Sequence, residues 1–400
     1  MDRRLNPYTP NAGARPPVLV GRNDQLEDFA VLLDRLRDGH AEQSMLITGL
    51  RGVGKTVLLG AFEDRARESD WTTVDAEIAK NSPFGARMAQ LVRRALFDLA
   101  PKARWTDRAR RAAGVLKSFH VTVSPDGTLS AGLDVDAVEG QADTGQLRED
   151  LTDVMVALGE AAEDHGRGVV FLFDEVQFLE TIELEALITG LHKTVQRQLP
   201  ITLVGAGLPQ LPRLAGEAKS YAERLFKFPE IGRLAEPEAT AALAEPATAR
   251  DVHYVDDALA AIVKYTEGYP YFLQEYGKAV WDAALRSPIA LEDVRDVQQT
   301  VEASLDGSFF RVRAERTTEL ELQYLRAMAE LGPEPQQAKD VAQLLNRTSE
   351  QLGPTRSRLI EKGLLYTPGH GLASFTVPQF DRYMLRAHDL VVPPKRHRSG

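Results

Sequence analysis

The 400-residue chain contains no cysteine, which excludes disulfide cross-links and thiolate metal centres and fits a reducing compartment. No apolar run approaches the ~20 residues that a membrane-spanning helix needs, and the longest strong one, Val169-Val170-Phe171-Leu172-Phe173, is strand-sized. The opening MDRRLNPYTP has no apolar core of the kind a secretory signal carries, so a cytoplasmic protein with no membrane partner is expected. His165, His192 and His253 have no partner at ligand spacing, and no Ser, His, Asp pattern marks a nucleophile. What is present, 43% hydrophobic and 26% charged residues, is ordinary globular material, enough for two or three domains. A net charge of −10 argues against indiscriminate coating of nucleic acid. Yet Arg311 to Gly400 holds 14 Lys and Arg against 10 Asp and Glu, so an anionic polymer would meet the C-terminal part. Lys395, Arg396 and Arg398 supply most of that excess, and a solvated tail explains it equally well.

Against these absences stands one contiguous motif. Gly49-Leu50-Arg51-Gly52-Val53-Gly54-Lys55-Thr56 follows the apolar stretch Met45-Leu46-Ile47-Thr48 and is a complete phosphate-binding loop. Its glycines let backbone N–H groups curl around β- and γ-phosphates, the Lys55 ammonium reaches their oxygens, and the Thr56 hydroxyl is suited to Mg²⁺. Val57-Leu58-Leu59 then reads as the buried start of a helix whose positive end faces the phosphates.

The second chemical signal is Val169 to Glu175, VVFLFDE: five apolar residues of a buried parallel strand, then two carboxylates where α/β sheets place ligands. With the loop upstream, Asp174 is expected to hold Mg²⁺ and Glu175 to polarise the attacking water. Alone, the pair would read as capping acids. Around these motifs, Asn6 to Pro17 reads as an extended arm, Leu26, Phe29, Leu33 and Leu36 as one helix face, Trp71 to Ile78 as a strand and Phe84 to Leu99 as a helix. His120 to Val135 alternates apolar and polar residues about Ser124-Pro125-Asp126-Gly127, which predicts a β-hairpin insertion near 119–136, a surface flap or a functional probe.

Loop, Asp-Glu strand and the strand end GAGLPQLP together resemble the AAA+ and STAND branches of the phosphate-loop ATPases, nearest to initiator-like and archaeal-type ATPases and a group of actinobacterial ATP-binding proteins. The resemblance implies an α/β fold: a parallel sheet (20–235) after an arm (1–19), an α-helical lid (236–310), a winged helix (311–390) and a basic tail (391–400). It implies ATP and Mg²⁺ as ligands and ATPase activity, with Lys55, Asp174 and Glu175 catalytic and Thr56 and Asp174 on the metal. Val20-Gly21-Arg22 matches the segment that lies against adenine, and Pro270 the Gly-x-Pro element that opens a lid helix near the base. Pro270 equally suits any helix first turn. Arg224 is the candidate arginine finger for a neighbour's γ-phosphate in a homo-oligomer, or a surface ion pair with Glu223 or Glu217. Two departures stand out. Gly205-Ala206-Gly207 occupies the place where related ATPases carry a polar side chain that orients water, and no lid arginine occurs from Gly268 to Tyr276.

Helical segments at Thr318 to Leu331, Gln337 to Leu345 and Ser349 to Lys362, then a short hairpin with tip Gly369-His370-Gly371, predict the winged helix. Thr355, Arg356 and Arg358 are expected on its exposed third helix, where double-stranded DNA would be met. The expectation is an ATP-hydrolysing switch whose nucleotide state moves the winged helix onto DNA. The alternative is a signalling or defence regulator, or a low-turnover scaffold, whose winged helix meets a protein partner.

Overall fold

The computed structural model describes residues 1–123 and 135–391. Five parallel strands, β1 (Ser44–Thr48), β2 (Thr72–Glu77), β3 (Val169–Asp174), β4 (Ile201–Gly207) and β5 (Phe226–Lys227), lie in the order β2-β3-β4-β1-β5. β1, β4 and the first five residues of β3 are buried throughout, as parallel strands covered on both faces must be. Side-chain alternation divides them. Phe171 and Phe173 face one core with α3 (Phe84–Leu99), α4 (Asp107–Val123), α5 (Leu147–Asp164) and α6 (Thr181–Gln196). Val170, Leu172, Met45 and Ile47 face the other with α1 (Asn23–Arg37) and α2 (Lys55–Glu68).

Two short helices, α7 (Leu211–Ala218) and α8 (Ala222–Leu225), lead into β5. The lid follows as α9 (Glu236–Thr248), α10 (Asp256–Thr266), α11 (Pro270–Ala283) and α12 (Leu291–Leu305). A π-helical turn, Asp306–Phe310, continues directly into α13 (Arg311–Ala314), so the expected boundary at 310/311 falls within a continuous helical run. The C-terminal unit is winged-helix-like: α14 (Glu319–Leu331), β6 (Gln336–Gln337), α15 (Ala338–Leu344), α16 (Ser349–Glu361), the antiparallel pair β7 (Leu365–Tyr366) and β8 (Leu372–Phe375), and α17 (Phe380–Ala387). One apolar cluster runs from Leu243 and Phe272 of the lid to Leu359 and Met384. Phe310, stacked on Tyr383 at 5.4 Å, joins the halves.

One expectation is overturned here. His120–Val123 ends α4 as helix instead of forming the first hairpin strand, because Val115, Leu116 and Phe119 bury that helix in the core. Such tertiary burial outweighs the β-preference of Val121 and Val123. The turn Ser124–Gly127 lies outside the described residues, as do Lys395, Arg396 and Arg398.

Candidate nucleotide site

β1 ends beneath the loop Gly49–Thr56, and β4 alone separates it from the end of β3, so the sheet order brings Asp174 and Glu175 beside Lys55 and Thr56. Gly52 (φ +79) and Gly54 (φ +94) take left-handed backbone conformations that only glycine adopts freely. Gly54 starts α2 with no side-chain cap, which leaves the first-turn amides and the positive end of a 14-residue helix directed at the cavity. That cavity measures about 540 Å³ and is lined by Arg51 to Val57, Asp174 and Glu175, with Val20, Arg22 and Pro270.

Thr56 Oγ1 donates to Asp174 Oδ2 at 2.5 Å, so two hard oxygen donors already share one place. Among the described residues no group of three or more His, Asp or Glu side chains could hold a metal. The Thr56–Asp174 oxygen pair is of the kind Mg²⁺ takes, since that ion keeps waters and phosphate oxygens beside one or two protein ligands. Lys55 is buried, and its Nζ donates to the carbonyls of Gly49 and Leu50, both at 2.8 Å. Burial lowers its ammonium pKa to about 8; Glu175 and Asp174 oppose the shift and Arg51 adds to it. Only partly compensated positive charge beside an open cavity is what a polyphosphate would relieve.

Arg22 is buried and donates to Val53 O (3.2 Å) and Gly232 O (2.8 Å), which ties the loop to the segment after β5. Gly21 has φ +66, and a Cβ there would stand 2.6 Å from the Glu238 carboxylate. Val20 and Arg22 thus border the cavity, while Gly21 supplies the close approach. Pro270 opens α11, and the Tyr271 N–H donates to Gly52 O at 3.2 Å, which joins lid to loop. Arg224 is exposed in α8, ahead of β5 and so at the sheet end opposite the loop. Glu217 pairs with Arg213 instead (2.6 Å).

Four contributors go beyond what the motifs predict, three of them unmarked in the sequence. Thr9 to Ala14, Pro16, Val18 and Leu19 of the arm line the cavity beside the expected Val20. The arm is pinned to the lid by Tyr8, whose hydroxyl donates to Leu243 O (2.5 Å), and to α2 by Arg15, which donates to Gly60 O (3.1 Å) and pairs with Asp64. Tyr271 and Phe309, stacked at 4.7 Å, form part of the wall, and so does Arg313, lying 4.1 Å over the Phe309 ring. Burial lowers the Arg313 pKa, and Arg51 opposite lowers it further. Arg51 is the third contributor. Its Nη1 lies 3.2 Å from Glu175 Oε1, and its backbone N–H donates to Thr376 O (2.9 Å) in the winged-helix-like unit. Gly363 (φ +67) approaches so closely that a Cβ would stand 3.1 Å from Arg51 Nη2. Gln177 is the fourth, donating from Nε2 to Glu175 Oε2. The charge of Arg51 was visible in the loop; the others carried no local signal.

The third helix meets the expectation in part: Arg358 is half exposed, whereas Thr355 and Arg356 turn inward. Thr355 is 2% exposed. Arg356 donates to Leu372 O (2.5 Å) and Thr367 Oγ1 (3.3 Å) in the wing, and Arg358 donates to Glu321 Oε1 (3.0 Å). Glu321 is fully buried; burial by itself would raise its carboxyl, but Lys362, the Thr318 amide and Arg358 reverse this and hold it at about 2. The basic side chains of α16 are therefore engaged with their own domain.

A glycine-rich loop at a helix start, a Thr-Asp oxygen pair, a strand-end glutamate and a helical lid together give the geometry of a phosphate-loop nucleotide site. Residues 18–204 match the AAA ATPase domain family, and residues 307–384 match a domain of unknown function (DUF8462). The chain thus matches the AAA ATPase domain family over the stretch that holds the phosphate loop and the strand end at Asp174 and Glu175. Among solved structures it is similar to the ORC2 protein of Aeropyrum pernix, in ADPNP-ADP complexes, at 17% identity over 96% of both chains with a TM-score of 0.55. It is also similar to the Walker-type ATPase paby2304 of Pyrococcus abyssi, at 14% identity over 93% of this chain and 97% of that one, again at 0.55. At these identities the likeness concerns the fold. No curated protein matches the chain.

Proposed function

We propose that the protein binds and hydrolyses ATP with Mg²⁺ and that nucleotide state sets the position of its winged-helix-like unit. The observation that carries this reading is the double engagement of Arg51: its amide holds Thr376 of that unit while its guanidinium holds Glu175. A ligand that draws the guanidinium from Glu175 therefore acts on the residue whose amide contacts the winged-helix-like unit. A ligand shifts a conformational equilibrium only through differential contacts. Arg313, which faces Arg51 across the cavity, supplies one toward a γ-phosphate and fills the place of the lid arginine missing from Gly268 to Tyr276. The solved ORC2 protein holds ADPNP and ADP on the same fold, which supports an adenine nucleotide here.

In the reaction, Lys55 and the α2 amides hold the phosphates, and Glu175 accepts the proton of the attacking water. Mg²⁺, held by Thr56 and Asp174, would neutralise charge on the phosphate oxygens. Val20, Gly21, Arg22 and Pro270 frame the base. Arg224, exposed and remote from its own loop, suits a role in trans on a neighbouring subunit's γ-phosphate. An ATP-dependent shift to larger species in sedimentation is the expected sign, and a strict monomer in ATP removes that role.

For the target of the moving unit, the inward commitment of Thr355 and Arg356 and the pairing of Arg358 with Glu321 favour the second reading, a regulator whose winged helix meets protein, over duplex DNA. Amide hydrogen exchange tests the switch itself. With a non-hydrolysable ATP analogue, the segment Gly363 to Thr376 should change protection relative to ADP, and Lys55→Ala should abolish the difference. Equal protection in both nucleotides defeats the switch.

A further inference from the structure

β4 ends in Gly205-Ala206-Gly207, so no side chain of that strand carries a polar group toward the site. The polar group that arrives there comes from Gln177, in the 3-10 turn Val176–Phe178 that follows β3. Its Oε1 accepts the N–H of Leu208 at 3.1 Å, just past the end of β4, and its Nε2 donates to Glu175 Oε2. The amide orientation follows from chemistry, since a backbone N–H can only donate and a carboxylate can only accept. Gly207 makes this possible: a Cβ there would stand 2.6 Å from Gln177 Oε1. The missing side chain of β4 and the presence of Gln177 are one arrangement. Glu175 lines the cavity, whereas Gln177 lies behind it. Glu175 also has φ +56, an uncommon conformation for a residue with a side chain, which needs surrounding contacts to hold it.

We infer that Gln177 is the positioning residue of the hydrolytic glutamate, taking over from the turn after β3 the role that a polar residue at the end of β4 would fill. The inference rests on the reading of Glu175 as base given above. A neutral amide suits the task. It fixes Oε2 without cancelling the carboxylate's charge, whereas Arg51 on Oε1 both fixes and neutralises it. When a phosphate draws Arg51 away, Oε1 becomes available to water while Oε2 stays held.

The full-length protein tests this through ATP affinity, kcat and the pH profile of kcat in Gln177→Ala, Gln177→Glu, Gln177→Ala/Gly207→Ser and Glu175→Gln. Gln177→Ala should lower kcat by about 10- to 100-fold with ATP affinity within about twofold, the size expected for a misplaced general base. Gln177→Glu, equal in size, sets a second carboxylate beside Glu175, raises the pKa of the pair and moves the acid limb of the profile to higher pH. Restoring a polar group from β4 by Gly207→Ser in the Gln177→Ala background should recover at least about threefold of the lost kcat, since the hydroxyl enters the vacated space. Wild-type kcat and pH profile in both Gln177 variants, with hydrolysis lost in Glu175→Gln, overturn the inference and leave the base assignment intact. So does a Gln177→Ala variant whose affinity falls as much as its kcat. Undiminished hydrolysis in Glu175→Gln instead removes the base and this inference with it. Should Gln177→Ala fail to fold, the isosteric Gln177→Glu decides alone.

Discussion

Two clusters of basic side chains, one in the phosphate loop and one on α16, look alike as residue types and differ in what they face. Lys55 and Arg51 border an open cavity, and Lys55 has only loop carbonyls as partners, so its charge is raised in energy by burial. Arg358 and Lys362 converge on one buried carboxylate, Glu321, and Arg356 on wing carbonyl and hydroxyl groups. A cation next to empty space gains by meeting a ligand. One whose donors are occupied must first give up bonds worth about 1.5–3 kcal/mol each when a charged group takes part. Basic residues therefore mark a binding surface only where the fold leaves their donors open.

The sharpest way to break this comparison is at Lys55. Lys55→Ala should weaken ATP binding by more than about 100-fold in calorimetry, whereas Glu175→Gln should retain affinity and lose about 10²- to 10³-fold in phosphate release. Binding that survives Lys55→Ala contradicts the open-cation reading. Next in size, Glu321→Gln should cost about 2 kcal/mol in the thermal or denaturant unfolding of the winged-helix-like unit, because it strips the acceptor from two cations at once. In the wild type the same carboxyl, held at about 2 against an ordinary 4.5, stabilises the fold above about pH 4.5, and that stability is lost as pH falls through this window toward 2. A melt insensitive to Glu321→Gln makes the α16 contacts incidental.

A smaller effect follows from Lys55 and pH. Its free-state pKa of about 8 means that the ammonium is lost progressively above pH 8, so ATP affinity should be flat below about pH 7 and fall by at most about tenfold per unit above pH 8. The fold responds with the opposite sign. Unfolding between pH 8 and the ordinary 10.5 takes up a proton on this lysine, so its contribution to stability rises with pH there. Affinity constant to pH 10 would falsify the perturbed ammonium. Smallest of all, replacing Arg356 and Arg358 by Ala should change the salt slope of any duplex binding by no more than about one unit, since Arg356 is held in the wing and Arg358, although half exposed, is paired with Glu321. A slope that flattens by two restores α16 as a DNA-reading helix.

The phosphate loop and the acidic strand end are legible locally for a physical reason. The loop, and Asp174 with Glu175, lie in contiguous segments because a phosphate cradle is made of successive amides and a strand end presents neighbouring residues. Phe171 and Val170 likewise declared a strand covered on both faces. Reading failed where partners are distant along the chain. The alternation after His120 suggested a strand, while Leu116 and Phe119, buried against α5, impose helix as far as Val123. The bonds of Arg356 and Arg358 to Leu372 and Glu321 could not be foreseen, because those partners are remote in sequence. Gly205 and Gly207 read as a lost polar position, when Gly207 is the clearance for Gln177.

The amino-acid sequence by itself determined the phosphate loop, the acidic strand end and the parallel α/β core, since each follows from periodicity and backbone chemistry within a few residues. Tertiary structure alone decided which charges stay open, that the arm walls the cavity, that Arg51 touches both Glu175 and Thr376, and that Gln177 stands in for β4. Those are matters of proximity and burial, set when sheet order and domain packing bring residues hundreds of positions apart within hydrogen-bond reach.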